Sequence, residues 1–119
     1  MRDFRAIAVW RKAHLLVLEV YRATRTFPGD ERFGLTSQIR RSAASIATNI
    51  AEGCGRESER DFARFLSIAA GSASETEYHL LLAADLTYLT QHDYIRINAL
   101  IQEVRKMLAA FHCTLIAER

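Results

Sequence analysis

One proline in 119 residues is the feature that most limits what this chain can fold into. Pro28 stands alone and five glycines are scattered, so the punctuation needed for many short strands and tight turns is missing. Long helices satisfy such a chain best. Hydrophobic residues make up 50% and charged residues 25%, an ordinary globular balance. The length suits one domain, 1–119, burying roughly 65% of the unfolded chain's surface.

Four segments carry helical periodicity. In the first, from about 6 to 26, Trp10, Ala13, Val17, Val20, Thr24 and Phe27 fall in one stripe, and Phe27-Pro28-Gly29-Asp30 ends it. The second runs from about 36 to 52. Thr36 is its expected N-cap, Ile39, Ala43, Ile46 and Ile50 its apolar stripe, and Gly53 its left-handed terminator. The third, from about 59 to 89, has Ser58 as N-cap. Its apolar row is Phe62, Leu66, Ala69, Ala73, Thr76, Leu80, Ala83 and Thr87, with a second row from Phe65 to Leu89 beside it. Small residues around Gly71 suggest a close neighbour there. The fourth, from about 93 to 116, carries Tyr94, Ile97, Ile101, Val104, Leu108, Phe111 and Leu115. Short links make successive helices antiparallel neighbours. The fold class is therefore all-α, an antiparallel up-and-down four-helix bundle, with left-handed crossings near about +20°. Trp10, Val17, Ile46, Ile50, Leu66, Leu80, Ile101, Val104 and Leu108 are the expected leaders of its core.

Net charge is only +2, but it is unevenly spread: residues 1–56 carry a net +5 and residues 57–119 a net −3. Two readings follow. The charges pair as solvated faces within the bundle, or a basic face on the first two helices meets nucleic acid. Cys54 and Cys113 are too few and too far apart for a disulfide framework, which fits a reducing cytoplasm. No secretory signal is read at the start of the chain. The longest stretch without Asp, Glu, Lys or Arg is Met107 to Ala117, well short of the about 20 residues of a membrane span.

No enzyme signature emerges. A di-metal bundle site requires Glu-x-x-His pairs, and positions three before His79 and His112 are Thr76 and Ala109. Glu75 and His79 lie one turn apart, too few ligands for a metal. Neither a phosphate-binding glycine loop nor a nucleophile with its base is marked. The expectation is a protein without catalytic site, metal or cofactor. One polar set does stand out. Arg41, Ser45, Asn49 and Glu52 share a face of the second helix, and Ser72 and Glu75 interrupt an apolar row of the third. It reads either as a network joining the two helices, with Arg41, Asn49 and Glu75 within it, or as a partly open polar surface.

The stretch from Phe27 to about Leu89 resembles a known family. FP at 27–28, FGLTSQIRRSAASI at 33–46, NIAEGCGR at 49–56 and FARFLSIAAGSASETEYHLLLA at 62–83 carry the likeness, in order and at the family's spacing. The family is that of bacterial four-helix bundle proteins, or 23S rRNA intervening-sequence proteins, to which accessory proteins of diversity-generating retroelements are related. The resemblance implies a cytoplasmic homopentamer with suspected nucleic-acid contacts, and a reverse transcriptase or another protein as a further partner. Family motif residues map onto Arg40, Arg41, Asn49, Glu52, Gly53, Gly71, Ser72 and Glu75. One departure is Ala47 in Ser45-Ile46-Ala47-Thr48-Asn49, where the family commonly has a kinking proline.

Two functions are carried forward: a nucleic-acid or ribonucleoprotein accessory module, and a protein-assembly scaffold with no nucleic-acid role. Arg11, Lys12, Arg22, Arg25 and Arg40 are the expected phosphate contacts, with Arg41 assigned a structural part. Few aromatic residues lie outside the expected core, which argues against stacking on bases. Val9, Leu16, Tyr21, Tyr78 and Tyr88 fall beyond the main stripes and are expected at contacts between copies.

Overall fold

A computed structural model describes residues 2–117. Four helices account for most of it: α1 (Ala8–Ala23), α2 (Leu35–Cys54), α3 (Glu59–Asp85) and α4 (Gln91–Ala117). Each packs against its sequence neighbours and α1 closes on α4, while the diagonal pairs make no substantial contact. The arrangement is the expected all-α four-helix bundle. No helix among the described residues is long and apolar enough to cross a membrane.

The helix ends follow local chemistry. At α3 the Ser58 hydroxyl accepts from the Asp61 backbone N–H at 3.0 Å, and at α4 Thr90 does the same for Asp93 at 3.1 Å. α2 begins one residue earlier than expected. Thr36 is inside it and buried, Gly34 holds the cap position, and the Glu31 carboxylate accepts from the Leu35 N–H at 3.1 Å. α3 stops at Asp85, short of the expected 89. Thr87 adopts a left-handed backbone (φ 62°), the Tyr88 N–H reaches back to the Ala83 carbonyl and the Thr87 N–H to that of Ala84. This pair of bonds closes a helix end in the manner usually given to glycine.

Gly53 plays a different part from the one its position suggests. α2 continues through it to Cys54 and its φ is not positive. A Cβ at Gly53 would stand 2.6 Å from Phe62 Cδ1 and 3.0 Å from Phe65 Cβ. The glycine lets α2 and α3 approach each other. Gly71, expected to serve a close neighbour, has nothing within 4 Å of where its Cβ would be. α2 runs unbroken past Ala47, the position of the family proline, and that alanine lies in the core.

The core contains Ile46, Ile50, Leu66, Leu80, Ile101, Val104 and Leu108, each at most 1% exposed. Helix 1 is rotated from its expected setting. Val9, Ala13, Leu16 and Val20 face inward, and Trp10 and Val17 sit half-buried at the flank. The indole packs edge-on to Phe4 (centroids 4.7 Å) and flat on His14 (5.0 Å), which holds it at the flank of the bundle. Val9 and Leu16 are therefore interior, not surface for a second copy. Tyr88 is also engaged within the chain, against Phe27 and by a 2.9 Å bond from its hydroxyl to Glu31. Tyr21 and Tyr78 remain exposed.

Candidate nucleic-acid interface

Close approach of α2 and α3 encloses a ladder of small polar groups. The Ser45 and Ser72 hydroxyls meet at 2.9 Å, and the Asn49 amide donates to the Ser45 carbonyl (2.8 Å) and hydroxyl (3.0 Å). One turn along, the Thr76 hydroxyl lies 2.9 Å from Ser42 Oγ and 2.8 Å from the Ser72 carbonyl oxygen. Ser42 Oγ in turn is 3.3 Å from His79 Nδ1. The expected network thus forms around Ser45, Asn49 and Ser72, and gains Ser42, Thr76 and His79. Arg41 and Glu52 stand outside it, both exposed and with no side-chain hydrogen bond or ion pair among the described residues. Glu75 is exposed and reaches only His79, at 3.8 Å. An Arg41–Glu75 coupling has no geometry to support it. Ser42 is legible as a polar residue beside the apolar row of α2, and Thr76 lies in the buried row of α3 as expected, where its hydroxyl joins the ladder.

Ser42, His79 and Glu75 stand in the order of a hydrolytic triad, but the serine is 3% and the histidine 6% exposed. Ser42 Oγ also lies 3.2 Å from the Ile39 carbonyl oxygen, so its proton already has an internal acceptor. The group holds two helices in register. Burial pushes the His79 pKa below its ordinary 6.5, with Glu75 partly opposing the shift. The native chain therefore resists a proton that the unfolded chain accepts. Stability is expected to fall as pH drops below 6.5, and to level off only below the depressed native value. Melting temperatures of wild type and His79→Gln across that range check this. The variant should show the shallower decline, and equal declines would show that the native imidazole protonates freely.

The ion pairs sort the cations. Lys12 pairs with Glu103 at 3.3 Å, Arg96 with Glu19 at 2.8 Å and Arg105 with Glu77 at 2.6 Å, all between neighbouring helices. Arg22 also shares Glu19, at 3.6 Å. The Arg11 guanidinium donates to the Arg5 carbonyl at 3.1 Å. Three of the five expected phosphate contacts, all on α1, thus have partners within the chain, a carboxylate for Lys12 and Arg22 and a backbone carbonyl for Arg11. Arg25 and Arg40 are not engaged by any carboxylate among the described residues. Arg25 lies just past the C-terminal end of α1, directly after Thr24, and Arg40 reaches that end from α2.

At that end Arg40 is fixed in place. Its Nε donates to Thr24 Oγ1 at 2.8 Å, and its Cζ lies over the Tyr21 ring at 4.7 Å. The Thr24 hydroxyl is itself held by the Val20 carbonyl at 2.8 Å. Both Nη groups of Arg40 are left without a partner among the described residues. Around it Tyr21, Arg32, Phe33, Thr36, Ser37 and Arg41 line a groove of about 360 Å³ with no carboxylate in its wall. Arg32 lies over the Phe33 ring at 4.9 Å, and that ring is 87% exposed. Few aromatic residues were expected outside the core, and Phe33 is one of them; residues 27–34 carry no periodicity from which its exposure could be read. A larger cleft, about 950 Å³, lies at the opposite end among Arg56, Arg60 and Arg64. It contains acids, Glu57 and Asp61: Asp61 takes Arg64 at 2.9 Å and Arg56 at 3.6 Å, and Arg60 has no carboxylate partner among the described residues.

The bundle, its polar α2–α3 seam and its order of helices define a class. Residues 5–110 match the family model described as 23S rRNA-intervening sequence protein, and the chain belongs to that family. A solved structure from Bacteroides thetaiotaomicron, described as a protein with unknown function from the S23 ribosomal protein family, is similar. The two share 32% identity and superpose with a TM-score of 0.80, over 87% of this chain and 96% of the other. No curated protein matches.

Proposed function

We propose that this protein is a non-enzymatic, self-assembling module that binds nucleic acid as an accessory to a ribonucleoprotein. The observation that carries the reading is the carboxylate-free groove at one end of the bundle, where Arg32, Arg40 and Arg41 converge. Among the described residues most other cations face an acid, and these do not. Guanidinium groups suit phosphate oxygens, and such contacts supply affinity without base readout. The family's description points the same way. The contact centre moves accordingly from Arg11, Lys12 and Arg22 to Arg25, Arg32, Arg40 and Arg41. The cytoplasm is the proposed compartment.

Self-association, as a pentamer, rests on the family resemblance and on apolar surface left open by the bundle. Leu15 and Leu18 on α1, and Ile68, Tyr78 and Leu81 on α3, are each at least 40% exposed. A ring would repeat the basic groove and add weak contacts together. The same apolar surface favours the second reading, an assembly scaffold without nucleic acid. Retardation of RNA and duplex DNA by micromolar protein at low salt separates the two. Binding by the wild type, strongly reduced in Arg40→Glu/Arg41→Glu, is the expected result. No retardation by the wild type would leave the scaffold.

A further inference from the structure

Phe33 is difficult to account for as a structural residue. It is 87% exposed, the most open of the large hydrophobic side chains, and it sits in the wall of the arginine groove. Arg32 covers one face of its ring, at 4.9 Å. The opposite face is open to water, and an apolar ring so placed gains from any flat partner that covers it. Beside it Arg40 is stacked on Tyr21 and pinned to Thr24, so its unpaired Nη groups are held in place before any ligand arrives. Thr36 and Ser37, in the first turn of α2, line the same groove, while the N-terminus of that helix is already capped by Glu31. A planar apolar surface and fixed guanidinium groups within one groove are what a base and its phosphate require together.

We propose that this groove binds an unpaired nucleotide of a single-stranded nucleic acid, its base on Phe33 and its phosphate among Arg32, Arg40 and Arg41. The proposal rests on the nucleic-acid reading above and adds a preference to it. A base inside a duplex is stacked on its neighbours and offers no free face to Phe33. An unpaired one does, whatever its identity. The groove should therefore favour loops, ends and single strands over uninterrupted duplex, without sequence choice.

The test uses a single-stranded RNA of about 10 nucleotides and the duplex of the same sequence as probes. Wild type, Phe33→Leu and Phe33→Tyr are compared by fluorescence anisotropy at one salt concentration. Leucine keeps apolar bulk and removes the ring, at a position where exposure spares the fold. The expected result is about tenfold weaker binding of the single strand by Phe33→Leu, near wild-type binding by Phe33→Tyr, and unchanged duplex affinity for both. If wild type binds both probes and Phe33→Leu alters neither, this inference falls while the electrostatic reading stands. If wild type binds neither, both fall. Light scattering on Phe33→Leu covers the remaining case: a changed mass with unchanged RNA affinity would assign Phe33 to contacts between copies and overturn the proposal.

Discussion

Truncating Leu66 to alanine is expected to lower the unfolding free energy by about 2–5 kcal/mol, among the larger losses available to a single substitution in this chain. Leu66 is 1% exposed on the inward stripe of α3, within the main core cluster that all four helices share. Removal of its branched end loses the transfer energy of the missing carbons and leaves a cavity that rigid helices fill poorly. Urea melts measure the effect directly. A loss below about half a kcal/mol would mean that the stripe faces solvent.

The second large effect is expected from the smallest addition. Gly53→Ala should destabilise by about 1–3 kcal/mol, the reverse of what alanine does in an open helix. The new methyl would meet Phe62 Cδ1 at 2.6 Å and Phe65 Cβ at 3.0 Å. The Phe62 ring can turn, but a Cβ moves only with its backbone, so α3 must shift away from α2. That shift would stretch the Ser45–Ser72 and Ser42–Thr76 hydrogen bonds along the same seam. Gly71→Ala is the internal control, since its Cβ meets nothing within 4 Å. Thermal melts of the two variants should therefore move in opposite directions. Equal shifts would show that the α2–α3 spacing is slack at Gly53.

These residues also show what was legible in the amino-acid order. Ile46, Ile50, Ile101 and Val104 could be placed because a 3.5-residue rhythm leaves them one face to occupy. On α1 two apolar rows adjoin, so the rhythm alone could not choose between Trp10 with Val17 and Val9 with Leu16. The neighbours decide it, since Trp10 packs on Phe4 and His14 at the flank while Val9 and Leu16 face inward, and neighbours in space are not written in the amino-acid order. Gly53 was misread because a glycine that ends a helix and a glycine that admits a phenylalanine look alike in one dimension. Thr87 was placed in an apolar row because only a bonded helix end reveals its left-handed backbone. At the candidate site the excess of positive charge on the first two helices was plain. Which arginines were free was not, because pairing depends on distance: Lys12 finds Glu103 across the bundle, and Arg41 finds no acid among the described residues. Ser45, Asn49 and Ser72 were found by their polarity at one-turn spacing, but Arg41 and Glu52, given to the same network, lie outside it.

That difference between Lys12 and Arg41 supplies the most direct test of the nucleic-acid reading. Arg41→Ala and Lys12→Ala each remove one positive charge, so a diffuse electrostatic attraction would suffer equally from both. The measurement is the affinity of the assembled protein for a short RNA across a salt series. Wild type should lose affinity steeply as salt rises, as counterion release requires. Arg41→Ala should bind more weakly and flatten the log–log slope by about one for each phosphate left without its guanidinium. Lys12→Ala, whose cation already faces Glu103 at 3.3 Å, should stay close to wild type. Equal losses in the two variants would contradict the placement of the interface, and a wild-type protein with no affinity at low salt would contradict the function itself.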